Sequence, residues 1–181
     1  MIKYIALLRG INISGKNKIS MTELKEELKH LGYKEIITYL NSGNIIFNSN
    51  ITDKDTIKNN IHLMIKSKFS LDIPIFIITS QELEELLNNN PNWWGKNDKE
   101  TYDNIIFIIP PTTYNDVISV IGSPNEYEKI KEYNNNIFWS YSLKNYRKTN
   151  WWSKTASTSI SKNITIRTAN TMKKILEICK R

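Results

Sequence analysis

The apolar positions of this chain follow two rhythms in turn: short runs that suit strands, and three-to-four spacings that suit helices. Residues 3–8 form the first run, and a polar loop follows it. Ser20-Met21-Thr22-Glu23 reads as a capping box, in which serine and glutamate satisfy each other's backbone N–H groups at a helix start. Leu24, Leu28 and Leu31 then stripe one helical face, and Gly32 suits a left-handed stop. Residues 36–40 and 44–48 read as short strands joined by Asn41-Ser42-Gly43, a hairpin turn in which Gly43 takes a positive φ. Asp53 opens a helix striped by Ile57, Ile61, Met64, Ile65 and Phe69, and residues 73–79 are the strongest strand in the chain. Thr79-Ser80-Gln81-Glu82 starts a further helix, which stops at Asn88-Asn89-Asn90-Pro91.

The same order then repeats. Residues 103–109 read as a strand stopped by Pro110-Pro111, and residues 113–121 as a helix ended by Gly122. Residues 126–133 and 137–141 form a hairpin across Asn134-Asn135-Asn136, residues 151–161 a Ser/Thr-rich helix, and 164–167 a strand before a helix at 172–180. Each half is β-α-β-β-α-β, so the expected fold is α+β, with two tandem ferredoxin-like lobes, a bridging helix and an extra C-terminal helix. The expected division is a first lobe at 1–79, a bridging helix and linker at 80–91, and a second lobe at 92–181.

Composition changes the picture in two places. The net charge is +7, but residues 144–181 hold ten Lys or Arg against the single acid Glu177, a net +9 that leaves −2 for the rest. A regional excess of this kind fits an anionic partner, although 30 Ile against 13 Leu and abundant Asn and Lys also fit an A/T-biased codon usage. The single cysteine, Cys179, excludes an internal disulfide and fits a reducing, cytoplasmic setting. No apolar run approaches the roughly 20 residues of a membrane span, and the short N-terminal run is broken by Arg9.

Three polar stretches carry candidate chemistry. The loop after the first strand holds Arg9, Gly10, Asn12, Gly15, Lys16 and Asn17. Gly10 to Asn17 matches G-x-x-x-x-G-K-[ST] except at its last place, where a Ser or Thr hydroxyl would ligate magnesium, and the helix starts too late for a P-loop. An ATPase is therefore excluded, and a general anion-binding loop is what remains. Ser42 and Asn44 lie in the hairpin turn, and whether that turn meets the loop depends on the direction each takes along the sheet. Arg167, Asn170 and Thr171 lie where a strand runs into the last helix, with Thr168 or Asn170 able to cap it.

Other chemistries are bounded quickly. In Trp93-Trp94 and Trp151-Trp152 the rings are adjacent, so one helix or strand face does not bury both members of a pair. Packing accounts for them, while an exposed ring suits a base or a protein partner. The third strand of neither half matches the RNA-recognition pattern, although Trp139 and Tyr141 share a face opposite Phe138. His30 and His62 lack ligand-spaced partners, and no cofactor, metal or catalytic constellation is expected.

Leu7-Leu8-Arg9-Gly10-Ile11-Asn12, Gly15-Lys16-Asn17 and residues 38–47 (Thr-Tyr-Leu-Asn-Ser-Gly-Asn-Ile-Ile-Phe) resemble the bacterial domain-of-unknown-function family 1697. The resemblance recurs near the end at residues 165–171, where Thr168 and Ala169 replace the Asn and Trp of the family's usual Arg-Asn-Trp-Asn-Thr. It implies a two-lobed α+β fold and points to the same three stretches, and it supplies no activity. The functional expectation is binding of an anionic ligand, a phosphate-bearing small molecule or nucleic acid, through the first β–α loop. A protein-interaction module built on the Trp pairs and the basic C-terminal face is the alternative.

Overall fold

The computed structural model describes residues 1–181. The chain divides into two compact units, one of Met1–Leu83 with Ile175–Arg181 and one of Glu84–Lys174. Residues 175–181 thus group with the first unit, where the Lys3 Nζ donates to the Cys179 carbonyl at 2.7 Å.

In the first unit, β1 (Ile2–Leu8), α1 (Met21–His30), β2 (Lys34–Tyr39), β3 (Asn44–Ser49), α2 (Lys54–Phe69) and β4 (Ile75–Thr79) give an antiparallel sheet in the order β2-β3-β1-β4. This is the ferredoxin-like arrangement. Tyr4, Ala6, Leu8, Ile45, Phe47, Ile75 and Ile77 point to one face, where α1 adds Leu24 and Leu28 and α2 adds Ile57, Ile61 and Ile65. The intervening residues Ile5, Leu7, Ile46, Phe76 and Ile78 are buried as well. Burial on both faces is why β1 and β4 read as unbroken apolar runs rather than as alternating ones.

Local signals account for the helix ends. Ser20 Oγ accepts from Glu23 N at 3.3 Å, so the serine half of the expected box forms without the return bond from Glu23, and Asp53 accepts from Thr56 N at 2.8 Å. At the far end of α1, Gly32 lies at φ 86° and the Tyr33 N–H returns to the Leu28 carbonyl. The bridging helix α3 (Ser80–Asn88) starts from a reciprocal cap, Thr79 N to Glu82 Oε2 and Glu82 N to Thr79 Oγ1.

The second unit repeats the order with β5 (Thr101–Ile108), α4 (Tyr114–Ile121), β6 (Glu128–Tyr133), β7 (Asn136–Ser142), α5 (Trp151–Ser157) and β8 (Ile164–Thr168), its sheet running β6-β7-β5-β8, and α6 (Ala169–Cys179) starts in this unit and ends in the first. Its core takes Ile106, Ile108, Val117, Ile121, Ile137, Trp139, Trp151 and Ile164. Trp139 and Tyr141 share a face, as alternation requires, and both are buried there, so they offer no stacking surface. The Ser/Thr-rich segment at 151–161 is helical only to Ser157, and a 3-10 turn spans Ser159–Asn163. Its hydroxyls bond locally at this end: Thr155 Oγ1 donates to the Trp152 carbonyl, and Thr158 donates to the Lys154 carbonyl through both its Oγ1 and its N–H, with Thr158 as the C-cap in extended conformation.

Candidate functional site

The loop between β1 and α1 is built from left-handed residues. Gly10, Asn12, Ser14, Gly15 and Asn17 all have φ between 48° and 76°. Asparagine tolerates this conformation better than most side chains, and here it also supplies the bonds that hold it. The Asn12 side chain donates to the Ile19 carbonyl at 3.0 Å and to the Asn41 carbonyl at 2.9 Å, and accepts from Ile19 N at 2.9 Å. Asn17 donates to the Gly10 carbonyl at 2.9 Å, and the Asn12 N–H reaches the Asn17 carbonyl. The loop is therefore cross-braced by its own side chains.

The bond from Asn12 to Asn41 answers what the sequence left open: the β1–α1 loop and the β2–β3 turn meet. Leu8 N donates to the Gly43 carbonyl at 2.8 Å, and a Cβ placed on Gly43 would lie 2.6 Å from Leu8 Cβ. Only glycine fits this contact. Asn44 is fully buried and donates to the Tyr39 carbonyl and to Ser42 Oγ, so it holds the turn closed.

Where loop, turn and helix start come together, an open depression of about 590 Å³ is lined by Asn12, Gly15, Lys18, Ser20, Thr22 and Asn41, among others. The first turn of α1 borders it, and a helix N-terminus presents N–H groups and a positive dipole end. Lys16 and Lys18 are exposed on the same loop. Arg9 is half-buried at the loop's root, where its N–H bonds the Pro74 carbonyl and burial pulls its guanidinium pKa below the usual value. Of the residues singled out in the sequence, Asn12 and Gly15 line the depression, Gly10 and Asn17 brace the same loop, Lys16 is exposed on it, and Ser42 lies in the adjoining turn. Asn12, Asn17 and Asn44 serve the loop's own geometry, while Lys16 and Lys18 project from it. Lys18, Ser20, Thr22 and Asn41 belong to this surface too, and the capping box at Ser20 was the signal that placed a helix start beside the loop.

The second unit joins its corresponding elements with the donor moved. Asn135, in the β6–β7 turn, donates to the Thr112 carbonyl at 3.0 Å and accepts from Tyr114 N, the first residue of α4. Arg167 lies on β8 opposite Ile105 and is 9 % exposed, with Nη1 donating to Thr165 Oγ1 and to the Ile166 carbonyl. Burial pulls its pKa down to about 10, which leaves it charged at neutral pH. Thr168 is the residue that caps α6, accepting from Thr171 N at 3.2 Å and sharing a hydroxyl bond with Thr171, while Asn170 is exposed. Of the Trp pairs, Trp94 and Trp151 are buried and Trp152 is exposed, with Trp93 between. Trp94 donates to the Asn104 carbonyl and meets Phe138 edge-on.

No helix is long and apolar enough to cross a membrane. No curated protein matches the chain. A conserved bacterial protein from Streptococcus pneumoniae shares its structure with a TM-score of 0.85, at 30 % sequence identity over 97 % of each chain. Residues 1–138, which include the whole β1–α1 loop and the β2–β3 turn, match the family described as protein of unknown function DUF1697, and the chain belongs to that family.

Proposed function

We propose that this protein binds a phosphate-bearing ligand, a small molecule or a nucleic acid, at the surface formed by the β1–α1 loop, the β2–β3 turn and the start of α1. One observation carries the reading: a loop braced by Asn12 and Asn17, with Lys16 exposed on it, puts Lys18 in the lining of an open depression that the first turn of α1 borders. A rigid loop loses little conformational freedom when a ligand arrives. Exposed ammonium groups supply strong charge-assisted bonds to phosphate oxygens, and the backbone N–H groups of the helix start add to them. Arg9 reinforces the field from the loop's root. Arg167 belongs to the second unit, where it is buried. Cys179 is buried, and a reducing cytosolic compartment is the proposed setting.

The test is a thermal-shift panel of inorganic phosphate, mononucleotides, short single strands and duplex DNA at low salt. A ligand at about 100 times its dissociation constant adds roughly 2.7 kcal/mol, or about 5–10 °C for a chain of this size. The expected result is a shift by a phosphate-bearing compound that disappears in the double variant Lys16→Glu/Lys18→Glu. An undiminished shift in that variant sinks the assignment.

A further inference from the structure

The second unit carries a different cationic surface, and its chemistry is not that of a phosphate pocket. Residues 144–154 hold Lys144, Arg147, Lys148 and Lys154 with no acid among them. Two of these cations are stacked on aromatic rings: the Arg147 guanidinium lies 5.4 Å from the Tyr146 ring centre, and Lys148 Nζ lies 5.4 Å from that of Tyr127. Arg147 Nε also donates to the Tyr146 hydroxyl at 2.8 Å. Trp152 meets Tyr146 edge-to-face at 4.7 Å, which fixes its ring, yet it remains 42 % exposed.

Neighbouring structure keeps this arrangement in place and turns one acid, Glu128, away from it. Trp151 is fully buried beside Trp152, and its indole donates to the Gly122 carbonyl. Glu128, next to Tyr127 in the sequence, is 6 % exposed and turned inward. Its carboxylate accepts from the Trp139 indole at 3.0 Å, from Asn150 N at 2.8 Å and from Trp151 N at 3.2 Å. Glu126, next to Tyr127, is the exposed acid on this side, set against Arg147, Lys148 and a half-exposed indole.

We propose that the surface of Tyr146, Arg147, Lys148 and Trp152 binds single-stranded nucleic acid, with one base stacked on Trp152 and the flanking phosphates on Arg147 and Lys148. Aromatic faces interleaved with cations are what an unpaired strand offers partners for, since each base carries a π-face and each link a charge. A duplex hides its base faces, and a free phosphate gains nothing from an indole. An acidic protein partner would use the cations but would not need the exposed ring held on edge. This site is separate from the β1–α1 loop reading and stands without it.

Fluorescence anisotropy of a labelled 12-nucleotide oligouridylate and oligothymidylate, with the corresponding duplexes as comparison, tests the proposal at low salt. Single strands are expected to bind more tightly than duplex. Trp152→Ala should weaken binding about 5- to 100-fold, and Trp152→Phe should recover most of it. Arg147→Glu/Lys148→Glu should cut affinity further and flatten the salt slope by about 1.4, from two lost phosphate contacts. Lys66→Glu, an exposed change on α2, controls for the charge alteration, and melting curves establish that each variant folds. The proposal is overturned by wild-type protein that binds no oligonucleotide or prefers duplex, or by Trp152→Ala or the charge-reversed variant binding as wild type.

Discussion

At the scale of single residues, Gly43 and Asn12 show how differently two polar-loop positions act. Gly43→Ala forces a Cβ to 2.6 Å from Leu8 Cβ at φ 81°, so the turn and β1 must separate. The expected loss is at least about 2 kcal/mol, read from urea melts. Gly10→Ala meets nothing within 4 Å and carries only the cost of its left-handed backbone, about 1 kcal/mol. Equal losses in the two variants would show that the Leu8 contact does not matter. Asn12→Ala should lower the melting temperature and speed hydrogen exchange at the Ile19 amide, because three side-chain bonds go with it. An unchanged melting temperature with weakened ligand binding would make Asn12 a ligand contact instead of a brace. From the sequence, Asn12 was legible as a polar residue in a glycine-rich loop. Its role was not, because its partners, the carbonyls of Ile19 and Asn41, are brought to it by tertiary structure and leave no mark in residue type.

At the scale of elements, the helix starts at Ser20, Asp53 and Thr79 were legible, whereas the Thr113 cap and the polar irregularities were not. Ser20, Asp53, Thr79 and Thr113 each stand at a helix start as local chemistry requires, and the Thr113 and Asp116 groups form a full reciprocal box. Asp53 and Asp116 are held below the usual carboxylate value of 3.8, chiefly by the hydroxyl groups of Thr56 and Thr113 and then by the backbone N–H groups of the same residues. A depressed folded-state pKa gives stabilisation that is present above 3.8 and lost as pH falls through the lower folded value. Asp53→Asn/Asp116→Asn should therefore lose less stability than wild type when the pH drops from about 4 to about 2, measured by urea melts in an acid series. Parallel curves would mean the caps do not couple to protonation. The shortening of α5 was harder to read, since whether a threonine hydroxyl bonds back to a carbonyl or faces outward depends on the surface that packs beside it.

At the scale of the whole molecule, the order of elements carried the topology: β-α-β-β-α-β twice, and two antiparallel sheets of matching strand order. Burial of both sheet faces was announced by unbroken apolar runs in β1 and β4. The juxtaposition of loop and turn was not, because each lobe makes it with a different residue, Asn12 from the loop and Asn135 from the turn. The grouping of residues 175–181 with the first unit was also hidden, since the stripe of α6 is amphipathic whichever unit it serves. Removing these seven residues deletes the acceptor of Lys3 Nζ and buried Ile175 and Cys179. The truncated protein should melt at a lower temperature, and hydrogen exchange should locate the loosening in β1 as well as in the second unit. An effect confined to residues 84–174 would contradict the grouping.

That grouping sets the order of events during synthesis. The ribosome delivers residues 1–83 first, yet the unit they build also contains residues 175–181. The second unit, contiguous at residues 84–174, has all its strands before the first has its last turn of helix. β1 has both its sheet neighbours, β3 and β4, once residue 79 is made, but Lys3 gains its acceptor, the Cys179 carbonyl, only after the second unit has been synthesised.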